Sequence, residues 1–230
     1  VLVVAGDIEI ENAKSLIEDY FGGIKKGKSI ERNFIKEKPI TETIFREAFD
    51  ENIQIPAKIL AYRTPSMKTR ESRIFDMIST YLSSGQSSVL YKKLVDKKKM
   101  ALEVFAVNNS QEDYGIYLIG GLPLGKTELS QVTIEIDEEI EKLKNELISE
   151  RDFEKIQNIF ESQYVSSNST VEGIANSLAR YHILYEDVNL INNEIDIYRS
   201  ITRKEMQEVA IKYLNKNQWL ELKYLPKNNQ

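Results

Sequence analysis

The sequence predicts an α+β domain in which helices are layered on one face of a mainly antiparallel sheet. Strand-like segments group early in the chain and recur at its end, and amphipathic helical segments fill the stretch between them. Of the 230 residues, 41 % are apolar and only 10 are glycine and 5 proline, which is typical of a globular protein. A chain of this length buries roughly 70 % of its unfolded surface, so its core needs no disulfide or structural metal.

The first part of the chain is predicted to be separate from the main domain. Residues 1–5 form a continuous apolar run typical of a buried strand, and apolar residues at helical spacing follow as far as Gly22. We therefore expect a strand, a turn and a helix over 1–22. A natural chain seldom begins inside a buried strand, so we also expect that further residues precede Val1. Residues 23–43 are highly charged, lack periodicity and are predicted to be a linker.

The main domain is predicted to span residues 44–230, where the hydrophobic pattern changes from strand to helix and back. Its predicted elements are, in order, strands at about 44–49 and 53–61, helices at about 69–83 and 87–98, strands at about 101–107 and 115–122, helices at about 129–147, 149–164, 169–186 and 202–214, and a strand at about 219–225. Pro56 favours an edge position for the second strand, because proline has no N–H to donate to a neighbouring strand. Such an edge, over about 53–62, would be able to pair with an extended peptide.

Charge and composition exclude several classes of function. The 36 acidic and 31 basic side chains give a net charge of −5, which disfavours the phosphate neutralisation on which non-specific nucleic-acid binding depends. No apolar stretch approaches the roughly 18 residues that span a bilayer. The absence of cysteine rules out disulfides and cysteine-ligated metals. We therefore expect no nucleic-acid partner and no membrane span.

The sequence contains no recognisable metal or nucleophile motif. His182 is the single histidine, whereas catalytic zinc commonly takes two or three histidines with a carboxylate, so we interpret His182 as a structural or partly exposed side chain. The acidic residues within 135–141 are candidates for binding a divalent cation, but their alternation with Ile136 and Ile140 favours the solvated face of a helix. The turn over 83–88 is a candidate anion site, but a helix-to-helix turn capped by serine is favoured.

Several local motifs, taken in their order, resemble one protein family. They are the opening Val3-Val4-Ala5-Gly6-Asp7, a helix ending Tyr20-Phe21-Gly22, the segment Leu82-Ser83-Ser84-Gly85-Gln86-Ser87-Ser88-Val89-Leu90-Tyr91-Lys92-Lys93-Leu94, and the ending Trp219-Leu220-Glu221-Leu222-Lys223-Tyr224-Leu225-Pro226. In this order they resemble zinc metallopeptidases of the pitrilysin (insulinase) family over essentially the whole chain. The family-signature residues are Gly6, Asp7, Phe21, Gly22, Ser87, Ser88, Leu90, Tyr91 and Leu94.

The resemblance implies that this chain is the metallopeptidase-like half of a two-domain unit. In the family, two similar α+β domains close around a peptide, and an H-x-x-E-H helix with a distant glutamate holds zinc in the first domain. None of that motif occurs here, so residues 1–22 would end the zinc-type domain and 44–230 would form the second, non-zinc-binding domain. We expect the full-length protein to be a zinc endopeptidase with zinc in its upstream domain. For this chain alone we expect no cofactor, no metal ligand, no catalytic residue and no activity.

The substrate-binding pair of the family is not matched. Family members that hold substrate through the later domain use an arginine and a tyrosine, and the corresponding positions here are Val95 and Leu102, which lack a hydrogen-bond donor. We therefore expect that pair to come from a second half or subunit. The implied partners are a peptide substrate, the upstream zinc-binding domain and that second half or subunit.

The resemblance also leaves a different function and a location to be weighed. The alternative function is a zinc-less structural or assembly partner of the same fold, and the lost donors at Val95 and Leu102 favour it. Exported members of the family favour a periplasmic or otherwise exported location over the cytoplasm, and the absence of cysteine is compatible with either compartment.

Overall fold

The computed structural model describes residues 1–28 and 38–227. In chain order its helices and strands are α1 (Ile10–Phe21), β1 (Ile44–Asp50), β2 (Ala57–Pro65), α2 (Arg70–Ser83), β3 (Ala101–Asn109), β4 (Tyr114–Pro123), α3 (Leu129–Asn145), α4 (Glu150–Ser167), α5 (Val171–Arg180), α6 (Leu190–Ser200), α7 (Arg203–Tyr213) and β5 (Trp219–Pro226). Two π-helical segments, Tyr91–Lys97 and Tyr181–Tyr185, and a 3₁₀ turn, Lys216–Gln218, complete the list for these residues. The predicted α+β class is confirmed.

The chain divides into two compact units. One comprises residues 1–38 and 161–194, and the other, called the sheet unit below, comprises 39–160 and 195–230. The first unit contains α1 and α5, whereas the sheet unit contains all five strands together with α2, α3 and α7. This division does not decide whether residues 1–22 end a preceding domain, so that assignment stays a prediction.

The five strands form one mixed sheet in the order β1-β5-β2-β4-β3. β5 lies between β1, which it pairs in parallel, and β2, which it pairs in the antiparallel direction. β2 also pairs with β4, and β4 with β3, both antiparallel. The last strand of the chain is therefore inserted between the first two strands. The sheet is mainly antiparallel, as predicted.

The predicted edge position of the second strand is wrong. β2 begins at Ala57 and is the middle strand of the sheet, with β5 on one side and β4 on the other. Pro56 lies immediately before the strand, where its missing N–H removes no inter-strand hydrogen bond. The segment 53–62 thus offers no free edge to a peptide, because β5 and β4 are hydrogen-bonded to the two sides of β2.

The hydrophobic core lies between one face of the sheet and the helices α2, α3 and α7. Alternate residues of the strands point into it, such as Leu60 and Tyr62 of β2 and Tyr117 and Ile119 of β4, because side chains alternate between the faces of a strand. The largest fully buried apolar residues are Tyr62, Tyr117, Phe75, Leu60, Met77, Ile78, Leu82, Leu90, Leu94, Ile119 and Ile136. Complete burial of one such aliphatic or phenylalanine side chain contributes about 1.5–3 kcal/mol, so this layer is the main source of stability.

The opposite face of the sheet, called the outer face below, is also largely apolar. Strand alternation places on it the following residues: Ile59, Ala61, Phe105, Val107, Ile116, Leu118, Leu122, Leu220 and Leu222. Val107 and Ile116 are 48 % and 42 % exposed, and most of the others are partly exposed. An antiparallel sheet of a small domain commonly has one polar face toward water, and this sheet does not.

The structure differs from the predicted elements in three places. Residues 1–5 are irregular rather than a strand, because a strand needs a hydrogen-bonded neighbour and none pairs with this run among the described residues. The predicted second helix at 87–98 is wound as a π-helix over Tyr91–Lys97. Helix α6 was not predicted, because two consecutive asparagines and the buried Glu194 interrupt its apolar pattern.

Helix α7 begins with a capping box, which gives a first testable prediction. The Thr202 hydroxyl accepts a hydrogen bond from the Glu205 N–H at 3.2 Å, and the Glu205 carboxylate accepts one from the Thr202 N–H at 2.8 Å. Thr202→Ala is expected to lower the free energy of unfolding by about 1 kcal/mol, measured by urea denaturation, because the Glu205 N–H loses its acceptor. Thr202→Ser keeps the hydroxyl and should retain most of that stability. An equal loss in both variants would show that the cap is not the cause.

Candidate functional site

The signature turn over residues 83–88 joins two helices, as predicted. Gly85 has φ of +72°, a left-handed conformation that glycine adopts without steric cost. The Ser88 hydroxyl is buried and donates to the Gly85 carbonyl at 2.8 Å, and the Ser83 hydroxyl accepts from the Ala106 N–H at 2.8 Å. Both hydroxyls therefore serve the turn and its contact with β3, as the helix-to-helix interpretation predicted.

The signature residues after this turn are packing residues. Leu90 and Leu94 are fully buried in the core, and Tyr91 packs against it from the π-helical segment Tyr91–Lys97. Ser87 is exposed, and its hydroxyl accepts a hydrogen bond from Lys155 at 3.1 Å. Leu90, Tyr91 and Leu94 of this motif thus anchor the π-helical segment to the core.

The remaining signature residues lie in the first unit, around α1. Gly6 and Asp7 are exposed in the irregular segment before the helix, and Gly6 has φ of +151°. Phe21 ends α1 and is 52 % exposed, and the Gly22 N–H caps the helix by donating to the Glu18 carbonyl at 2.8 Å. Phe21 and Gly22 thus end the helix, as the sequence predicted.

The two positions that correspond to the family's substrate-binding pair are both occupied by apolar side chains, Val95 and Leu102. Val95 is partly buried against the core, and Leu102 is 46 % exposed at a bulge of β3, where the register shifts between Ala101 and Glu103. Neither side chain can donate to a peptide backbone or a developing negative charge. Their roles in this chain stay predictions.

The acidic run of α3 forms an ion-pair network that the sequence did not reveal. Lys93, from the π-helical segment, lies 3.0 Å from Glu135, 2.8 Å from Glu138 and 2.9 Å from Glu139. Lys98 also pairs with Glu135. The predicted solvated face is therefore wrong for Glu135 and Glu139, which are each 8 % exposed, and holds for Glu138, which is exposed. The reason is that the π-helical segment covers this part of α3.

The network fixes the charge states of its members. Burial raises the pKa of Glu135, but hydrogen bonds from Lys98 and Lys93 outweigh it and hold that pKa below its ordinary value. The pKa of Glu139 is lowered in the same way by Lys142 and Lys93 against the effect of burial. Burial lowers the pKa of Lys93, and hydrogen bonds to its carboxylates raise it by more. Glu135, Glu139 and Lys93 are therefore charged at neutral pH.

The candidate metal ligands among the described residues do not form a catalytic metal site. Glu135 and Glu139 are neutralised by lysines, and His182 is exposed on the segment Tyr181–Tyr185. Within residues 1–28 and 38–227, no group of three or more histidine or carboxylate side chains is placed to hold a metal ion. In the same residues, no helix is both long and apolar enough to cross a bilayer.

Comparison with known families identifies this kind of domain. Residues 1–160 match the family described as peptidase M16 inactive domain. The chain belongs to this family. One relative of this chain is the zinc protease PqqE of Helicobacter pylori, which is 24 % identical over 222 residues, covering 95 % of this chain and 49 % of the relative. This chain therefore spans about half the length of that relative. The resemblance to zinc metallopeptidases is confirmed.

Solved structures share the fold of the M16 domain. A protease from Helicobacter pylori superposes with a TM-score of 0.88 and 22 % identity, covering 96 % of this chain and 54 % of that one. The peptidase M16 inactive domain of Pseudomonas fluorescens superposes with a TM-score of 0.76 and 14 % identity, covering 98 % of this chain and 53 % of that one. The periplasmic protease PqqL of Escherichia coli superposes with a TM-score of 0.75 and 16 % identity, covering 96 % of this chain and 25 % of that one. These likenesses confirm the fold of the M16 domain.

Proposed function

We propose that this chain is the non-catalytic half of a zinc-dependent endopeptidase and forms part of a wall that encloses and positions a peptide substrate. The observation that carries the proposal is its membership of the inactive-domain family together with its span of about half of a zinc protease relative. A domain of that kind contributes binding and enclosure, since the reacting groups lie elsewhere in the protein. In this proposal the zinc is held by an upstream domain.

The surfaces of the sheet unit support a role in enclosure. Its outer face is broad, apolar and partly exposed, and includes Val107, Ile116, Leu118 and Leu222. A contiguous exposed apolar surface of this kind is typical of sites that contact other polypeptides. An unfolded peptide presents apolar side chains without sequence restriction, so such a wall suits a substrate chosen for being unfolded rather than for one motif.

The zinc site cannot be completed by this chain under the proposal. The two most buried carboxylates of the acidic run, Glu135 and Glu139, are already paired with Lys93, and a zinc ligand must be free to donate a lone pair. This chain's own contribution is then to bind and orient a peptide and to exclude water around it.

The proposal predicts a division of activity between the two halves. The chain alone is expected to bind less than stoichiometric zinc after washing with chelator, and to cleave no unfolded peptide, because it provides no ligand set for the metal. The full-length protein is expected to cleave the same peptide in a reaction abolished by chelator. Metal content by atomic absorption and peptide cleavage by mass spectrometry measure both. Stoichiometric zinc in the chain alone, or chelator-resistant cleavage by the full-length protein, would contradict the proposal.

A second candidate is a zinc-less assembly partner of the same fold. The apolar residues at Val95 and Leu102 favour it, because a domain that never meets a reacting substrate needs no donors there. The two candidates differ upstream of this chain. An intact H-x-x-E-H motif with its glutamate favours the peptidase, and its absence favours the assembly partner.

The compartment and the domain boundaries belong to the same proposal. PqqL of Escherichia coli, which shares the fold, is described as periplasmic, and this supports an exported location here. We assign residues 1–22 to the end of the preceding domain, 23–43 to a linker and 44–230 to the second domain. The remaining proposed partner is a second half or subunit that completes the enclosure.

A further inference from the structure

We propose that a cavity beside the start of α4 binds a phosphate group, carried by free phosphate or by a phosphorylated small molecule. The inference goes beyond the proposed function, because it requires neither zinc nor a peptide substrate. The cavity has a volume of about 490 Å³, within the roughly 300–1,000 Å³ that is usual for small-molecule pockets. It is called the basic cavity below and is lined by Ser87, Lys92, Ser149, Arg151, Asp152 and Lys155.

Two distant stretches of the sequence meet at the basic cavity. Ser87 and Lys92 come from the signature turn and the π-helical segment after it, whereas Lys155 comes from α4. The Lys155 ammonium donates to the Ser87 hydroxyl at 3.1 Å and so joins the two walls. Each wall is also anchored in the core, one through Leu90 and the other through Ile156, both of which are fully buried. The packed core therefore holds the two walls in place.

The basic cavity has an excess of two positive charges. Lys92, Arg151 and Lys155 are cationic, and Asp152 is the one carboxylate among the lining residues that the structure describes. Lys92 and Arg151 are exposed to solvent, and no carboxylate pairs with either of them within residues 1–28 and 38–227. Two full positive charges thus remain available to an anion that enters the cavity.

The carboxylates nearest in sequence do not neutralise these cations. Asp152 accepts a hydrogen bond from the Ser149 hydroxyl at 2.7 Å, and its Oδ1 lies 3.9 Å from the Lys155 Nζ, too far for a hydrogen bond. Glu150 pairs with Arg203 at 2.6 Å instead of with a lining residue. Cations gathered at one cavity repel one another, and a bound anion relieves that repulsion.

The charge and the donors of the basic cavity suit a phosphate better than a carboxylate. A phosphate group carries about −1.5 to −2 at neutral pH and has three strong acceptor oxygens, whereas a carboxylate carries a single charge on two oxygens. The Ser87 hydroxyl accepts from Lys155, and its own proton has no acceptor in the described part of the chain, so it is able to donate to a phosphate oxygen. The planar guanidinium of Arg151 can donate two parallel hydrogen bonds to the same group.

The first test measures the binding of small anions to the unmodified chain by isothermal titration calorimetry at constant ionic strength. The probes are inorganic phosphate, glycerol 3-phosphate and acetate. We expect at least one phosphate probe to bind at least about tenfold more tightly than acetate, because acetate offers less charge and fewer acceptors. Binding of neither phosphate probe, or equal binding of phosphate and acetate, would overturn the proposal.

The second test locates the bound phosphate with two double variants. Lys92→Gln combined with Arg151→Gln is expected to weaken binding of the tighter phosphate probe at least about tenfold, because two charge-assisted hydrogen bonds are lost. The control is Lys97→Gln combined with Lys126→Gln, which removes the same charge from exposed lysines that do not line the cavity. It should change the affinity by less than about twofold, because salt screens such charges. Equal weakening in both double variants would show a general attraction to positive charge and overturn the proposal.

The two phosphate probes also distinguish the sources of the group. Tighter binding of glycerol 3-phosphate would assign the basic cavity to a phosphorylated small molecule, and tighter binding of inorganic phosphate would assign it to free phosphate. Either result supports the proposal, provided that the cavity variant abolishes the preference over acetate. A preference over acetate that survives unchanged in that variant would place the phosphate elsewhere on the chain and overturn the proposal.

Discussion

Phe75→Ala is expected to lower the free energy of unfolding by about 3–5 kcal/mol, which is the typical cost of removing a buried phenylalanine ring. Phe75 of α2 is fully buried, and its ring centre lies 4.8 Å from that of Tyr117 and 5.6 Å from that of Tyr213. The ring therefore joins α2 to both β4 and α7. Removing it loses buried apolar area, leaves a cavity and abolishes two aromatic contacts.

The matched control is Phe45→Ala, which makes the same chemical change on β1. Phe45 is 66 % exposed, so its removal should change the free energy of unfolding by no more than about 0.5 kcal/mol. Urea denaturation of both variants, followed by circular dichroism, measures the difference. Similar losses for the two variants would mean that the core does not lie where the structure places it.

Lys93→Met is expected to lower the free energy of unfolding by about 2 kcal/mol at pH 7, because the two buried carboxylates each lose one of two lysine partners. Glu135 then keeps only Lys98, and Glu139 keeps only Lys142. Lys93 contacts three carboxylates of α3, and Glu135 and Glu139 are almost completely buried. Methionine keeps the length of the side chain and removes only the charge. Lys97→Met, on the same π-helical segment but exposed, is the control and should be close to neutral.

The loss in Lys93→Met should depend on pH in a definite direction. The pKa values of Glu135 and Glu139 are lowered in the folded protein, so their contribution is fully present above the ordinary carboxylate pKa of about 4.3 and is lost as the pH falls through the folded values. The raised pKa of Lys93 keeps its charge constant throughout this range. The difference in the free energy of unfolding between the unmodified chain and the variant should therefore shrink steadily below about pH 4.3. A difference that is constant between pH 7 and pH 3 would show that lost packing, not lost charge, causes the effect.

Local patterns were sufficient to predict most helices and strands of this protein. Apolar residues at helical spacing from Leu129 to Leu147 predicted α3, and Gly85 predicted the turn before the π-helical segment. Pairings between distant residues were not accessible in this way. The missing N–H of Pro56 predicted an edge strand, and this was wrong. Nothing near Pro56 in the sequence reveals that β5 pairs with β2. Only the sheet order shows that the edge strands are β1 and β3.

The candidate site was predictable as a motif but not as a set of contacts. Leu90, Tyr91 and Leu94 were singled out through a family resemblance, and the structure shows that they pack against the core. The acidic run of α3 has the spacing of a solvated helix face, and its burial depends on Lys93 from a segment far away in sequence. Periodicity reports which residues share a face of a helix, but the element that covers that face is set by the tertiary fold.

The insertion of β5 between β1 and β2 has a consequence for synthesis on the ribosome. Until residues 219–226 have emerged, β1 has no hydrogen-bonded neighbour and one side of β2 is unpaired. The nascent polypeptide must therefore keep its earlier strands apart while some 150 intervening residues are translated (from the end of β2 at Pro65 to the start of β5 at Trp219). Newly made molecules would be most exposed to chaperones and to aggregation during that interval.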